Sequence, residues 1–88
     1  MFVKRFQYSM KNLLARVTLN PAVSQGKPTL RNTRFTVAQL LELLAAGMTN
    51  QEILADYLYL EEADIQAALL YAAQIANART IVSFPLVA

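Results

Sequence analysis

Gly26-Lys27-Pro28-Thr29-Leu30-Arg31-Asn32-Thr33-Arg34-Phe35-Thr36-Val37 is the densest stretch of instruction in this chain. A turn former, a proline, three cations and a helix-capping threonine fall within twelve residues, and the apolar run Val37 to Ala46 follows directly. Asparagine tolerates the left-handed backbone better than other non-glycine residues. Thr29-Leu30 and Arg34-Phe35 are therefore expected as two short extended pieces around a tight turn at Arg31-Asn32. Thr36 is the expected N-cap of a helix. Loops that carry this much specification tend to carry function as well.

Upstream of the loop, residues 1–20 mix apolar and basic side chains without helical period. Arg16-Val17-Thr18-Leu19 alternates and holds β-branched residues, which predicts a short strand. Asn20-Pro21 ends it, and Ser24 to Pro28 reads as loop.

Three helices are expected downstream. In the first, Val37, Leu40, Leu41 and Leu44 fall on one stripe, and Gly47 sits where a left-handed C-terminal cap belongs. Thr49-Asn50-Gln51-Glu52 matches a capping box and starts a second helix that runs to about Tyr57, with Ile53, Leu54 and Tyr57 on its apolar face. The third spans about Glu62 to Ala78. Glu61, Glu62 and Asp64 lie at its start and Arg79 at its end, the arrangement that the helix dipole favours. Ile65, Leu69, Ala72 and Ala76 make one stripe, with Leu70, Tyr71 and Ile75 outside it. A helix apolar on most of its circumference is buried on more than one side. Helical spacing from aliphatic neighbours assigns Tyr57 and Tyr71 to packing rather than to base stacking; Tyr59, in the link, is open to either. Beyond Ala78, Ile81, Val82 and Phe84 favour a strand that Pro85 limits to an edge. This uncharged tail is expected to pair with another strand or with a partner.

The chain has 88 residues, no cysteine, no histidine and a net charge of +2. That length fits a single domain, 1–88. Without Cys or His there is no thiol chemistry, no disulfide, no Cys/His zinc site and no imidazole proton shuttle. No Gly-rich phosphate loop is present. Glu61 and Glu62 point apart on a helix, and Ser9, Ser24 and Ser83 have no base beside them. No catalytic residue, metal, cofactor or small-molecule substrate is expected. The basic N-terminus lacks the apolar core of a signal peptide, and no stretch is long enough to span a membrane, so the expected location is cytoplasmic and off the membrane.

The hydrophobic fraction is 56%, above the roughly 45–50% of ordinary domains. Fourteen alanines supply part of the excess. The remainder points to an interface, with Leu70, Tyr71, Ile75, Ile81, Val82 and Phe84 as candidate partner-binding residues and a homodimer as the simplest assembly. Seven of the eight cations lie in the first 34 residues and all six acids after them. That asymmetry suits either an anionic partner or a second copy. Lys27, Arg31 and Arg34 are the candidate nucleic-acid contacts. For Arg34 the competing role is structural, holding the turn or pairing with Glu42 or Asp56.

Asn20-Pro21, Gly26-Lys27-Pro28, Thr33-Arg34-Phe35, Val37, the helix ending at Gly47, Thr49–Glu52 with Ile53-Leu54 and Tyr57, Leu60 to Ile65, Ala67 to Leu69 and Tyr71 together resemble the domain of unknown function 433 family. Asn32 stands where the family usually has glycine, and a positive φ there preserves the turn. Leu58 replaces a frequent proline, a change expected to lengthen the second helix by a residue or two. The resemblance implies a mainly α, homeodomain-like three-helix bundle with short β segments near both termini. It also implies a helix-turn-helix core, taken as residues 20–79; the apolar tail that follows, 80–88, is read from its own composition as a segment for pairing or partner contact. Many members look like antitoxins encoded beside nuclease-like toxins, which makes a toxin-like protein and DNA the implied partners. The alternative is a homodimeric interaction module that binds no nucleic acid. Three carboxylates at the start of the third helix argue against its insertion into a major groove; the loop at 27–34 is the expected DNA contact.

Overall fold

The computed structural model describes residues 9–78. In chain order these form α1 (Met10–Leu14), β1 (Val17–Thr18), a 3₁₀ turn (Ser24–Gly26), β2 (Thr29–Leu30), α2 (Val37–Ala45), α3 (Asn50–Asp56) and α4 (Glu62–Asn77). The described chain is mainly helical, with a two-stranded antiparallel sheet toward its N-terminal side. The strand expected at Ile81, Val82 and Phe84 lies outside the described residues.

The loop quoted above is a hairpin laid against a third segment. β1 and β2 pair with Val17 opposite Leu30 and Thr18 opposite Thr29. On its other side β2 meets the chain entering α2: Thr29 bridges to Thr36, and the Leu30 N–H donates to the Phe35 carbonyl at 3.0 Å. Between them Arg31 and Asn32 adopt φ values of 50° and 59°, the two successive positive angles of a type I′ turn. The turn falls at the expected residues, and it places Arg31, as well as Asn32, in the left-handed region. The Asn32 N–H donates to Thr18 Oγ1 at 2.9 Å, and the Thr33 hydroxyl donates to the Leu30 carbonyl at 2.8 Å.

The helix ends follow local chemistry. Thr36 caps α2, and Gln39 completes a capping box by accepting from the Thr36 N–H. Gly47, at φ 101°, ends α2. Its N–H donates to the Leu44 carbonyl and that of Met48 to the Leu43 carbonyl, the two bonds of a Schellman motif. Thr49 and Glu52 form the expected capping box of α3. The expected lengthening of α3 past Tyr57 does not occur. Tyr57 already leaves helical geometry at φ −123° and ψ 83°, with its ring packed edge-on to Phe35, centroids 4.9 Å apart. Leu58, 84% exposed, extends nothing.

Two further expectations are corrected. The first 20 residues include a helix: α1, capped by Ser9, whose Oγ accepts from the Asn12 N–H at 3.1 Å. It buries only Leu13 and is too short to leave a periodic signature. The buried face of α4 is also rotated from the stripe Ile65, Leu69, Ala72 and Ala76. The side chains buried on α4 are Ala63, Asp64, Ile65, Ala67 and Ala68, whereas Leu69 is 44% exposed and Ala76 faces solvent. α1, β1, α2 and α3 all pack on α4, and its buried side chains, three of them alanines, lie in its N-terminal half. Leu30, Leu40, Ile53 and Ile65 are the fully buried aliphatic centre of the core.

Candidate functional site: a basic loop beside an apolar groove

Asp64, on the first turn of α4, is completely buried. Its Oδ1 accepts from Arg16 Nη1 at 3.0 Å, and Arg31 reaches both carboxylate oxygens, with Nη2 to Oδ2 at 2.8 Å and Nε to Oδ1 at 3.0 Å. The Glu61 N–H donates to Oδ2 at 2.9 Å, and Glu61 itself accepts from Arg16 at 2.9 Å. Arg31 also donates to the Tyr59 carbonyl. Burial alone would push the Asp64 pKa up. The hydrogen bonds from Arg31, the Glu61 backbone and Arg16 outweigh it and hold the carboxyl below its ordinary value. No buried side-chain polar atom among the described residues lacks a partner.

This cluster alters how the basic loop is read. Of the three cations singled out for phosphate contact, Arg31 turns inward and clamps the hairpin to α4. Its left-handed backbone is sustained by that clamp and by its N–H bond to the Arg16 carbonyl at 2.7 Å. Asp64 was expected as a complement to the helix dipole; it is instead the buried anion at the centre of an arginine pair. No local pattern announces this, because residues 16, 31 and 64 meet only through the tertiary fold.

Lys27 and Arg34 remain exposed. Among the described residues neither makes an ion pair, and the expected pairing of Arg34 with Glu42 or Asp56 is absent. They line one open, polar hollow of about 530 Å³ together with Ser24, Gln25, Thr36 and Gln39. Among the described residues, no group of three or more Asp or Glu side chains is arranged to hold a metal ion.

On its other side Lys27 borders an apolar groove of about 400 Å³ between α2 and α4. Val37, Ala38 and Leu41 form one wall, Tyr71, Ala72 and Ile75 the other, and Pro28 and Thr36 lie at the border. Ile75 is 58% exposed. Of the described candidate partner residues, Tyr71 and Ile75 line this groove, and both Leu70 and Tyr71 pack against the core. Ile81, Val82 and Phe84 lie outside the described residues. Val37 and Leu41 were read from the sequence as part of an apolar helix stripe, and only the approach of α4 makes them, with Ala38, a groove.

The molecule is thus a small helical protein with a clamped hairpin at one end of its longest helix and an open apolar groove at the other. The model of one family, Protein of unknown function (DUF433), matches residues 17–72; the chain belongs to this family. No curated protein and no solved structure matches it. No helix among the described residues is long and apolar enough to cross a membrane.

Proposed function

We propose that this protein is an antitoxin-like binding protein that engages a partner protein through the α2–α4 groove and presents Lys27 and Arg34 to an anion such as the DNA backbone. The observation that carries this reading is the groove: an apolar cleft open to solvent on a small chain marks a contact surface. Two cations without partners among the described residues stand beside it, which suits a complex held by apolar contact and positioned by phosphate contact. Glu61 and Asp64, at the start of α4, are held by arginines of the same chain. Any DNA contact therefore belongs to Lys27 and Arg34 rather than to a recognition helix.

Co-expression with the product of the neighbouring reading frame tests the protein half. The wild-type chain should co-purify with it, and Ile75→Glu, at unchanged helical content by circular dichroism, should abolish capture. Retention by Ile75→Glu counts against the groove. Anisotropy titrations with duplex DNA at several salt concentrations test the nucleic-acid half. Replacing Lys27 and Arg34 by alanine should make the log–log salt slope shallower by about two. Binding indifferent to salt removes DNA from the proposal. The second reading, a homodimeric interaction module, is favoured by Leu69, which gives α4 a second apolar side away from the groove. Light scattering separates the two, since a chain that stays monomeric at high concentration excludes the homodimer.

A further inference from the structure

We infer that the polar hollow lined by Lys27 and Arg34 is a recognition site for a phosphate monoester, the dianionic group at the end of a nucleic-acid strand or on a mononucleotide. The inference rests on the reading of these two cations as anion contacts and names the anion.

A short extended segment and a tight turn build the hollow. Thr36 bridges to Thr29, so the chain entering α2 runs extended beside β2 and its side chains alternate. Phe35 is buried in the core, which leaves Arg34 and Thr36 on the other face. Ser24, Gln25 and Gly26 hold three successive positive φ values, 50°, 60° and 82°. The Gly26 N–H donates to the Val23 carbonyl and the Lys27 N–H to the Ser24 carbonyl. That turn brings Ser24, Gln25 and Lys27 to the same hollow as Arg34 and Thr36.

The lining is rich in donors. Each polar side chain around the hollow can donate a hydrogen bond, and no carboxylate lines it. The capping box of α2 orients two of these donors. Thr36 Oγ1 accepts from the Gln39 N–H at 3.0 Å, and Gln39 Oε1 accepts from the Thr36 N–H at 3.3 Å. With both oxygens engaged, the Thr36 hydroxyl proton and the Gln39 side-chain amide protons remain for a ligand. The Val37 N–H already donates to the Pro28 carbonyl, so side chains rather than the open end of the helix supply the contacts.

Two cations on one concavity suit a dianion. A phosphate monoester carries about −1.5 to −2 charges at pH 7 and three strong acceptor oxygens, whereas each internal phosphate of a duplex carries a single charge. Arg34 offers a planar fork that matches two of those oxygens, and Lys27 adds a point charge. Shape agrees with charge, since a terminal group enters a concave site and a continuous backbone passes across it. The volume, about 530 Å³, falls within the roughly 300–1,000 Å³ of small-ligand sites and leaves room for the attached sugar.

The test uses the full chain and single-stranded oligonucleotides, fluorescein-labelled at the 3′ end, that differ only in a 5′-phosphate or a 5′-hydroxyl. Anisotropy at one salt concentration should show the phosphorylated strand bound about tenfold more tightly. Lys27→Ala and Arg34→Ala, at unchanged helical content, should each remove most of that preference. Gln39→Glu separates recognition from folding. A glutamate keeps the capping box and places a carboxylate where an amide donated, so the preference should vanish with no loss of thermal stability. Equal affinity of the two strands for the wild type overturns the inference, as does a tenfold preference retained by Arg34→Ala or Gln39→Glu. Where the preference holds, competition with adenosine 5′-monophosphate names the source: displacement assigns the site to mononucleotides, and no displacement assigns it to strand ends. Equal affinity for the two strands, with a duplex salt slope still made shallower by replacing Lys27 and Arg34, would remove this inference and leave the proposed function standing. A 5′-phosphate preference without duplex binding would keep the hollow and remove the backbone contact.

Discussion

The two halves of α4 are built from similar residues and put to opposite uses. Over Ala63–Ala68 the helix holds all of its buried side chains, and its buried aspartate is held by Arg16 and Arg31. From Leu69 onward the same helix exposes Leu69 and Ile75 and borders an open groove. Apolar content is therefore a poor guide to which part of a helix stabilises the fold. What separates the halves is burial, since every fully buried side chain of α4 lies in its first two turns. Arg16 and Arg31 converge on its first turn, where Asp64 lies.

The largest consequence of that contrast lies at Asp64 and Ile65. Removing one partner of a buried ion pair leaves uncompensated charge and costs about 3–5 kcal/mol. Because Arg16 and Arg31 keep part of their side chains in solvent, Asp64→Ala should fall near the lower end, about 3 kcal/mol in urea unfolding. Ile65→Ala, at a fully buried site, should cost a similar amount, within the 2–5 kcal/mol of such truncations. A loss below about 1 kcal/mol at either position would dissolve the distinction between the halves.

The acid limb of the stability curve should show the same cluster. Asp64 has a folded-state pKa below its unfolded value. The stabilisation this confers is therefore fully present above the unfolded carboxyl pKa of about 3.9 and is lost as pH falls through the folded pKa. The stability gap between wild type and Asp64→Asn, followed by denaturant titration, should be constant from pH 7 to about 5 and shrink below about pH 4. A gap that stayed constant into strong acid would show that the carboxylate's charge contributes nothing.

How much of this was legible in the sequence follows from how local each signal is. Thr36, Gly47 and the Thr49–Glu52 box act within one helical turn, and each was readable because its chemistry needs only its immediate neighbours. The turn at Arg31-Asn32 was readable for the same reason. Asp64 was not, since a carboxylate in the first turn of a helix ordinarily faces solvent and the dipole explains it well enough. Its burial depends on Arg16 and Arg31, which lie 48 and 33 residues away in sequence. The groove was legible only in part. Tyr71 and Ile75 stood out as surplus apolar surface, but the facing wall at Ala38 and Leu41 exists because α4 crosses α2.

A smaller effect is expected at the hairpin turn that delivers Arg31 to the clamp. Asn32 adopts φ 59°, and its Oδ1 accepts from Asn20 Nδ2 at 3.1 Å. Asn32→Ala should cost about 1 kcal/mol, because a Cβ without a compensating polar group disfavours the left-handed region. Asn32→Gly should be nearly neutral, with relief of strain offset by the greater freedom of the unfolded chain. Equal losses for both variants would assign the effect to the Asn20 bond rather than to the backbone.

The smallest effect should come from Leu69, one helical turn beyond Ile65. Its 44% exposure means truncation removes little buried surface, and Leu69→Ala should cost less than about 1 kcal/mol. This pair is the sharpest form of the contrast, since the two aliphatic residues share a helix and nearly a face. If Leu69→Ala were as costly as Ile65→Ala, the outer side of α4 would be covered in solution by something the single chain does not supply. Dilution then decides the cause. A cost that falls with protein concentration identifies a second copy, whereas a cost independent of concentration places the cover within the chain itself.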